Sequence, residues 1–297
     1  MAVYRIHIRP RGGDKNSRLS FDYCLKENVL GLGWQIKTTN NIISWKDYES
    51  EASKIYGKDK LSRVRYLKDN IKKDDLIWTR DHDGYYYLGK AKSEWEYFTN
   101  TEAKSADIVN IIRCELKKIH SIDEVPGKVV ASFRPSKTIQ SIKDKTVSSY
   151  SKYLWNKLSK NNFYNIPADK YENIYSFLGS EETEDVIFIY LQTLGWIVVP
   201  NSRKGDTMSY EFYAINRVTK EKAIIQVKTG NTPLSPKDWK NWKEKVFLFQ
   251  ASGNYIGETE ENVVCLDPKE IEAFMYENKD ILPKNISHWL DITKNAK

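Results

Sequence analysis

Two runs of strand-forming residues flank a short polar stretch in YEFYAINRVTKEKAIIQVKTG, residues 210–230, and predict a β-hairpin. Side chains of a strand alternate between its two faces, so Gln226 and Lys228 are expected on one face and Val227 on the other. Glu211 begins the first strand. The hairpin is therefore expected to bring a carboxylate close to an amide and an ammonium group. Polar groups on a half-buried strand need polar partners or a function.

The elements around the hairpin predict an α/β domain over residues 171–297, with a mixed sheet flanked by helices. Helices are predicted at residues 181–194, 235–244 and 268–278, and further strands at residues 196–199, 245–249 and 262–266. The resulting order is α-β-β-β-α-β-β-α.

Residues 1–137 contain mainly short strand-like runs and predict a separate, mainly β barrel with helical insertions. Strands are predicted at residues 3–8, within 74–98, at 107–119 and at 127–133, and helices at residues 44–56 and 60–70. Residues 138–170 are polar, basic and serine-rich, with helical character near residues 150–158. This stretch is predicted to be a connector between the two domains.

The composition favours a nucleic-acid partner without requiring one. The chain has 297 residues, a formal net charge of +7 and a pI of about 9.0. A basic surface attracts phosphates, although a merely basic soluble protein would have the same composition. Cys24, Cys114 and Cys265 form neither a disulfide framework nor a zinc motif. The first ten residues, MAVYRIHIRP, lack the apolar core of a signal peptide, so a cytoplasmic protein with no membrane association is expected.

The hairpin offers the oxygen ligands that Mg²⁺ prefers. Glu211 can supply a carboxylate oxygen, Gln226 an amide oxygen and Val227 its backbone carbonyl. Lys228 can hold an attacking water or balance charge that develops on a phosphate. Taken alone, Lys228 would more often be a solvated charge at a sheet edge.

Further charged residues are predicted near the same end of the sheet. Glu184, on the preceding helix, can complete a metal site, although a first-turn acid is also favoured by the helix dipole. Asp206 is a second candidate ligand beside Glu211. Arg203 and Lys204 suit phosphate contacts, or a solvated surface.

This ordered set resembles the PD-(D/E)XK nuclease superfamily and, within it, the Mrr-like restriction endonucleases. In that family a helical Glu precedes a Gly-aromatic pair by eleven residues, as Glu184 precedes Gly195-Trp196 here. An acid then opens the second strand, here Glu211, and a Q-x-K motif ends the third, here QVK at residues 226–228.

The resemblance implies Mg²⁺-dependent hydrolysis of DNA phosphodiester bonds, with Mn²⁺ able to replace Mg²⁺. The family more often has Asp on the second strand and Glu or Asp in place of Gln226. The neutral Gln removes one negative charge, which favours a single bound ion. Whether Asp206 or Glu211 is the main ligand stays open, with Glu211 favoured because it falls within the strand.

The first domain resembles the PUA/EVE-like barrels, which hold a flipped and often modified base. The resemblance rests on VLGLGW, residues 29–34, and DDLIWTRDHDGYYYLGKA, residues 74–91. It makes four aromatic residues candidate pocket walls: Trp34, Trp78, Tyr87 and Trp95. Aromatic residues in a small barrel more often fill its core.

Together the two resemblances predict a restriction or anti-phage enzyme that cleaves double-stranded DNA carrying a modified base. Cutting both strands requires two active sites, so a homodimer is expected. Two alternatives stay open. The chain could be a DNA-binding module whose nuclease fold is inactive, or a restriction enzyme that reads an unmodified sequence.

Overall fold

The computed structural model describes residues 1–8, 14–38, 43–98, 100–135, 137–166, 174–199 and 210–294. The chain divides into two compact units. The first comprises Met1–Val125 with Val129–Ala168, and the second Pro126–Lys128 with Asp169–Lys297.

The first unit is built on one mixed sheet. Its described strands are β1 (Val3–Ile6), β2 (Val29–Leu32), β3 (Leu76–Arg80), β4 (Tyr86–Ala91), β5 (Glu96–Tyr97), β6 (Asn110–Lys118) and β7 (Ile139–Ser141). Helices described up to residue 159 are α1 (Asp14–Glu27), α2 (Trp45–Tyr56), α3 (Ser62–Asn70), α4 (Thr101–Ser105), α5 (Gly127–Ser132) and α6 (Lys145–Ser159).

The sheet of the first unit curls around its longest strand. The strand order is β2-β6-β4-β3-β1-β7, with β5 also paired to β6. The first half of β6 pairs with β2 and the second half with β4. Strand β1 runs parallel to β3, whereas the other pairs are antiparallel.

The structure corrects three expectations for the first half of the chain. The first unit is mixed α/β rather than mainly β, because helices cover much of its sheet. Residues 127–133, predicted to be a strand, include the short helix α5. A six-residue segment is too short for its hydrophobic period to distinguish a helix from a strand. The predicted connector, residues 138–170, is largely folded: β7 pairs with β1, and α6 buries Trp155 in the same unit.

The second unit follows the predicted order closely. Its described elements are helix α7 (Ser180–Thr193), strands β8 (Trp196–Val199), β9 (Phe212–Asn216), β10 (Lys222–Lys228), β11 (Lys245–Gln250) and β12 (Val263–Leu266), and helices α8 (Pro268–Glu277) and α9 (Lys284–Lys294). The predicted helix at residues 235–244 is instead a 3₁₀ turn at Pro236–Trp239. Helix α9 was not predicted.

The five strands of the second unit form a mixed sheet in the order β12-β11-β10-β9-β8. Strands β8, β9 and β10 are antiparallel neighbours, whereas β10, β11 and β12 run parallel. The predicted hairpin is therefore confirmed as β9 and β10. Strand β10 lies at the centre, and its apolar residues Ile224 and Ile225 are buried.

A partly buried carboxylate holds the start of α7. The backbone N–H of Gly179 donates to Glu182, and the Asn285 side chain donates to the other Glu182 oxygen at 2.8 Å. Burial raises the pKa of the Glu182 carboxyl. This arrangement leaves no room beside Gly127, where an added Cβ would lie 2.3 Å from the Gly179 nitrogen and closer still to the Glu182 carboxylate.

Replacing Gly127 with alanine is therefore expected to destabilise the protein by about 2–3 kcal/mol, since backbone must move to relieve the clash. Urea unfolding measures the change. Gly257→Ala is the matched control, because its Cβ meets nothing within 4 Å and only its φ of 88° is unfavourable. A loss of about 1 kcal/mol is expected there. Equal losses in the two variants would contradict the steric account.

Among the described residues, no helix combines the length and apolar character needed to cross a membrane.

Candidate functional site

The predicted polar groups meet at one end of the sheet in the second unit. Strand β10 ends at Lys228, and the antiparallel strand β9 begins at Phe212, opposite Ile225 of β10. Glu211 immediately precedes β9, where its backbone N–H donates to the carbonyl of Ile225 at 2.9 Å. The hairpin thus fixes the backbone of Glu211 next to the polar end of β10. The carboxyl ends of parallel strands, here β10 and β11, commonly form ligand sites.

Three side chains are in contact at this position. The Gln226 amide nitrogen donates to Glu211 Oε1 at 2.8 Å, and Lys228 Nζ lies 3.8 Å from the same oxygen. Gln226 and Lys228 therefore share a face of β10, as the period of two predicts. The sequence placed Glu211 within the strand, whereas the structure places it one residue before.

The three side chains of the site differ in their exposure to solvent. Gln226 is only 4% exposed, Glu211 has 23% of its side chain exposed, and Lys228 has 43% exposed. Lys228 stands on the central strand of the sheet, which excludes the edge-strand interpretation. The amide therefore lies at the base of the site, and the ammonium group is the member within reach of a large ligand.

The amide of Gln226 contacts two oxygens that were predicted to bind a metal. Its nitrogen lies 2.8 Å from Glu211 Oε1 and 3.2 Å from the Val227 carbonyl oxygen. Because a carbonyl oxygen would repel both of these atoms, the amide must present its nitrogen to them. A cation held by the same two oxygens requires the opposite orientation. A half-turn of the amide group would present Oε1 instead.

The donor set fits one hard cation. A carboxylate oxygen, an amide oxygen and a backbone carbonyl oxygen are the kinds of ligand that Mg²⁺ takes, and Mg²⁺ usually retains several waters. No group of three or more His, Cys, Asp or Glu side chains suited to a metal occurs in the described parts of the chain. The residues present thus fit a single ion with two neutral ligands better than a carboxylate-rich pair of ions.

Glu184 lies on α7, which packs on the face of the sheet opposite Gln226 and Lys228. The residue one turn later, Phe188, places its ring 5.9 Å from the ring of Phe212, which follows Glu211 directly. Helix α7 begins at Ser180, so Glu184 is its fifth residue and lies beyond the first turn. The helix-dipole explanation for an acid at this position is therefore weaker than the sequence indicated.

Gln250 was not predicted to matter, yet it organises the loops beside the site. This completely buried residue is the β11 partner of Lys228 in the sheet register. Its amide nitrogen donates to the carbonyls of Gly230 and Thr232, at 2.6 and 3.2 Å, and its oxygen accepts from the Ser252 N–H at 2.7 Å. The signal available in the sequence was a polar residue, Gln250, directly after the apolar run VFLF of β11.

Three predicted site residues, Asp206, Arg203 and Lys204, lie outside the described residues.

The first unit contains an aromatic cluster that includes one predicted reader residue. The Trp95 ring packs edge-on against Trp45 at 5.0 Å and lies 5.6 Å from Tyr48, with all distances between ring centroids. Trp45 and Trp95 are partly exposed. Asn110 joins the cluster: its side-chain oxygen accepts from Trp95 Nε1 at 3.0 Å, and its amide nitrogen donates to the Tyr48 hydroxyl at 2.9 Å.

Trp34, the other partly exposed candidate, has an unfavourable backbone conformation. Its φ is 64°, in the left-handed region that bulky residues rarely adopt. Neighbouring bonds hold this conformation: the Tyr48 hydroxyl donates to the Trp34 carbonyl at 3.0 Å, and Asn110 donates to the Gly33 carbonyl. Strain of this kind concentrates at functional sites. The roles of Trp45, Tyr48 and Asn110 were missed because they depend on contacts distant in sequence.

The remaining two candidates occupy the core. Trp78 is completely buried and its indole N–H donates to the Ser151 hydroxyl at 3.0 Å. Tyr87 is 8% exposed and packs against Phe21 at 5.3 Å between ring centroids. Both residues belong to the core of the first unit rather than to a ligand-facing surface.

Comparison of the chain with protein-family models, with curated proteins and with solved structures found no match.

Proposed function

We propose that the protein is an Mg²⁺-dependent DNA endonuclease with a PD-(D/E)XK, Mrr-like catalytic unit and a PUA/EVE-like reading unit. The observation that carries this proposal is the convergence of Glu211, Gln226 and Lys228 at the end of a central strand.

Each member of the site has a distinct task in the proposed reaction. Glu211, the backbone carbonyl of Val227 and the Gln226 amide oxygen are the groups that would hold Mg²⁺. Lys228 orients the attacking water and balances the negative charge that develops on the phosphate. Glu184 and Asp206 support the metal site. Bound Mg²⁺, or Mn²⁺ in its place, acidifies a water and stabilises the leaving oxygen.

The reading unit is proposed to accept a modified base flipped out of double-stranded DNA. Trp34 and Trp95 form its aromatic surface, together with Trp45. Stacking on such a surface contributes about 1–3 kcal/mol for each base. Asn110 is buried among them and already bonds both Trp95 and Tyr48, so it fixes the cluster rather than reading the base.

The biological role that follows is restriction of foreign DNA, such as that of phages. Because each chain has one such site, cleavage of both strands calls for a homodimer, formed in solution or on DNA. All three cysteines are free, which agrees with the reducing conditions of the cytoplasm where we place the enzyme.

Cleavage of matched phage DNAs tests the proposal. The two DNAs share one sequence, and one of them carries modified bases; both are incubated with the full chain and Mg²⁺ or EDTA. Cutting of modified DNA alone, and only with Mg²⁺, is expected. Equal cutting of both DNAs would retain the nuclease and favour the sequence-specific alternative. Binding of DNA without cutting would favour the inactive binding module.

Replacing Trp34 with glycine separates the reading unit from the catalytic unit. Glycine adopts positive φ freely, so the strained loop is relieved while the stacking surface is lost. We expect the binding preference for modified over plain duplex to fall about tenfold to hundredfold, as loss of one stacking contact requires. Fluorescence anisotropy measures the preference. Trp34→Phe keeps an aromatic ring and should retain most of it, and a preference unchanged in Trp34→Gly would contradict the assignment.

A further inference from the structure

A cavity of about 730 Å³ opens on the first unit, apart from the aromatic cluster. It lies where the first strand, β1, and β7 meet helices α3 and α6. Its described lining comprises Ala2, Val3, Tyr4, Tyr66, Asn70, Ser141, Ile142, Lys143, Asp144, Lys145, Ser148, Ser149 and Lys152. Most of these residues belong to the serine- and lysine-rich stretch that the sequence marked as a connector.

Three of the lining residues are lysines, and none of them forms an ion pair with a described residue. Lys143 and Lys145 are exposed, whereas Lys152 is partly buried. Asp144 is the single acid in the described lining, and its Oδ1 accepts from the backbone N–H of Val147 at 2.8 Å. The cavity therefore carries a formal charge of about +2, from three ammonium groups and one carboxylate already engaged in capping α6.

The pattern of the helix explains this surface. Four lining residues, Lys145, Ser148, Ser149 and Lys152, follow the spacing i, i+3, i+4 and i+7, which places them on one face of α6. The opposite face is buried and includes Val147, Tyr150, Leu154 and Trp155. These four residues thus form one wall of the cavity, whereas Ser151 lies on the buried face of the same helix.

Hydroxyl groups add neutral donors to the ammonium groups. Ser141, Ser148 and Ser149 line the cavity, and their hydroxyls make no hydrogen bond to any described residue. The Tyr66 hydroxyl is likewise without a described partner. Ammonium and hydroxyl donors around a positively charged space match the oxygens of a phosphate group.

We propose that this cavity binds the phosphodiester backbone of double-stranded DNA and so anchors the duplex on the first unit. The proposal rests on the proposed function, which supplies DNA as the partner. The contact would be independent of sequence, because lysine and serine donors meet phosphate oxygens and no base edge. It would add affinity to a reading unit whose aromatic surface alone recognises a single base.

Binding of a short, plain DNA duplex tests the proposal without cleavage, in EDTA, over a range of salt concentrations. The cavity variant is Lys143→Ala/Lys145→Ala/Lys152→Ala in the full chain. The control is Lys26→Ala/Lys54→Ala/Lys157→Ala, which loses the same charge at three lysines that are paired with Glu102, Glu51 and Glu124. Unfolding temperatures confirm that both variants are folded.

The cavity variant is expected to bind at least tenfold more weakly at low salt, and its slope of log K against log[salt] should fall by about 1–3. The control should change neither quantity by a comparable amount. Equal losses in the two variants, or an unchanged slope in the cavity variant, would overturn the cavity assignment and leave the proposed nuclease intact. Failure of the wild type to bind any duplex would overturn both.

Discussion

Replacing Lys228 with alanine is expected to slow Mg²⁺-dependent DNA cleavage about 10²–10³-fold, the usual loss when one charge-stabilising group is removed from an active site. Its ammonium group lies 3.8 Å from Glu211 Oε1 and 43% of the side chain is exposed, so it can reach both a water and a scissile phosphate. Rates of plasmid cleavage under single-turnover conditions measure the effect.

Metal binding by the Lys228→Ala variant should be unchanged or stronger, because the lysine ammonium group no longer competes with the metal ion for Glu211. Lys269→Ala is a matched control, since this exposed lysine is the second residue of α8 and its replacement removes the same charge. The control should cleave at the wild-type rate. If Lys228→Ala retains wild-type cleavage, or if both variants lose it equally, Lys228 has no role in the chemistry.

Replacing Gln226 with glutamate is expected to strengthen Mg²⁺ binding roughly tenfold or more, because the affinity of such sites rises with the charge of their ligands. Without metal, the same change should lower the free energy of unfolding by about 1–3 kcal/mol. The buried amide donates to Glu211 and to the Val227 carbonyl, and a carboxylate there would face two acceptors.

The two effects should be linked, so that added Mg²⁺ restores the stability that the Gln226→Glu variant loses. Thermal unfolding with increasing Mg²⁺ measures this directly. Gln192→Glu, on the exposed side of α7, adds the same charge away from the site and should show neither effect. A Gln226→Glu variant that is as stable as the wild type without metal would contradict the role assigned to the amide.

The second half of the chain was readable from sequence because its pattern is local. Strand β8 was predicted at the residues where it occurs, and the period of two placed Gln226 and Lys228 on one face. The pairing of β9 with β10 then fixed Glu211 beside them. By contrast, a polar residue at the end of the β11 strand did not reveal which loop Gln250 holds, because Gly230 and Thr232 lie 20 and 18 residues earlier in the chain.

The first half was less readable because its aromatic residues carry no information about which face they occupy. Trp78 and Trp95 looked alike in sequence, yet one is fully buried and the other partly exposed. Asn110, within the apolar run of β6, bonds to partners as far as 77 residues away. Such long-range contacts determine which side chains form the aromatic cluster. A hydrophobic period of two or 3.6 residues does not reveal them.

Calorimetric titration of Mg²⁺, and of Mn²⁺, into the full-length wild type and Glu211→Gln tests the central claim most directly. Binding of one ion per chain by the wild type, and loss of that binding in Glu211→Gln, is the result that the proposed site predicts. If the wild type binds no ion, or if Glu211→Gln binds it with equal affinity, the convergence of Glu211, Gln226 and Lys228 is not a metal-dependent catalytic site.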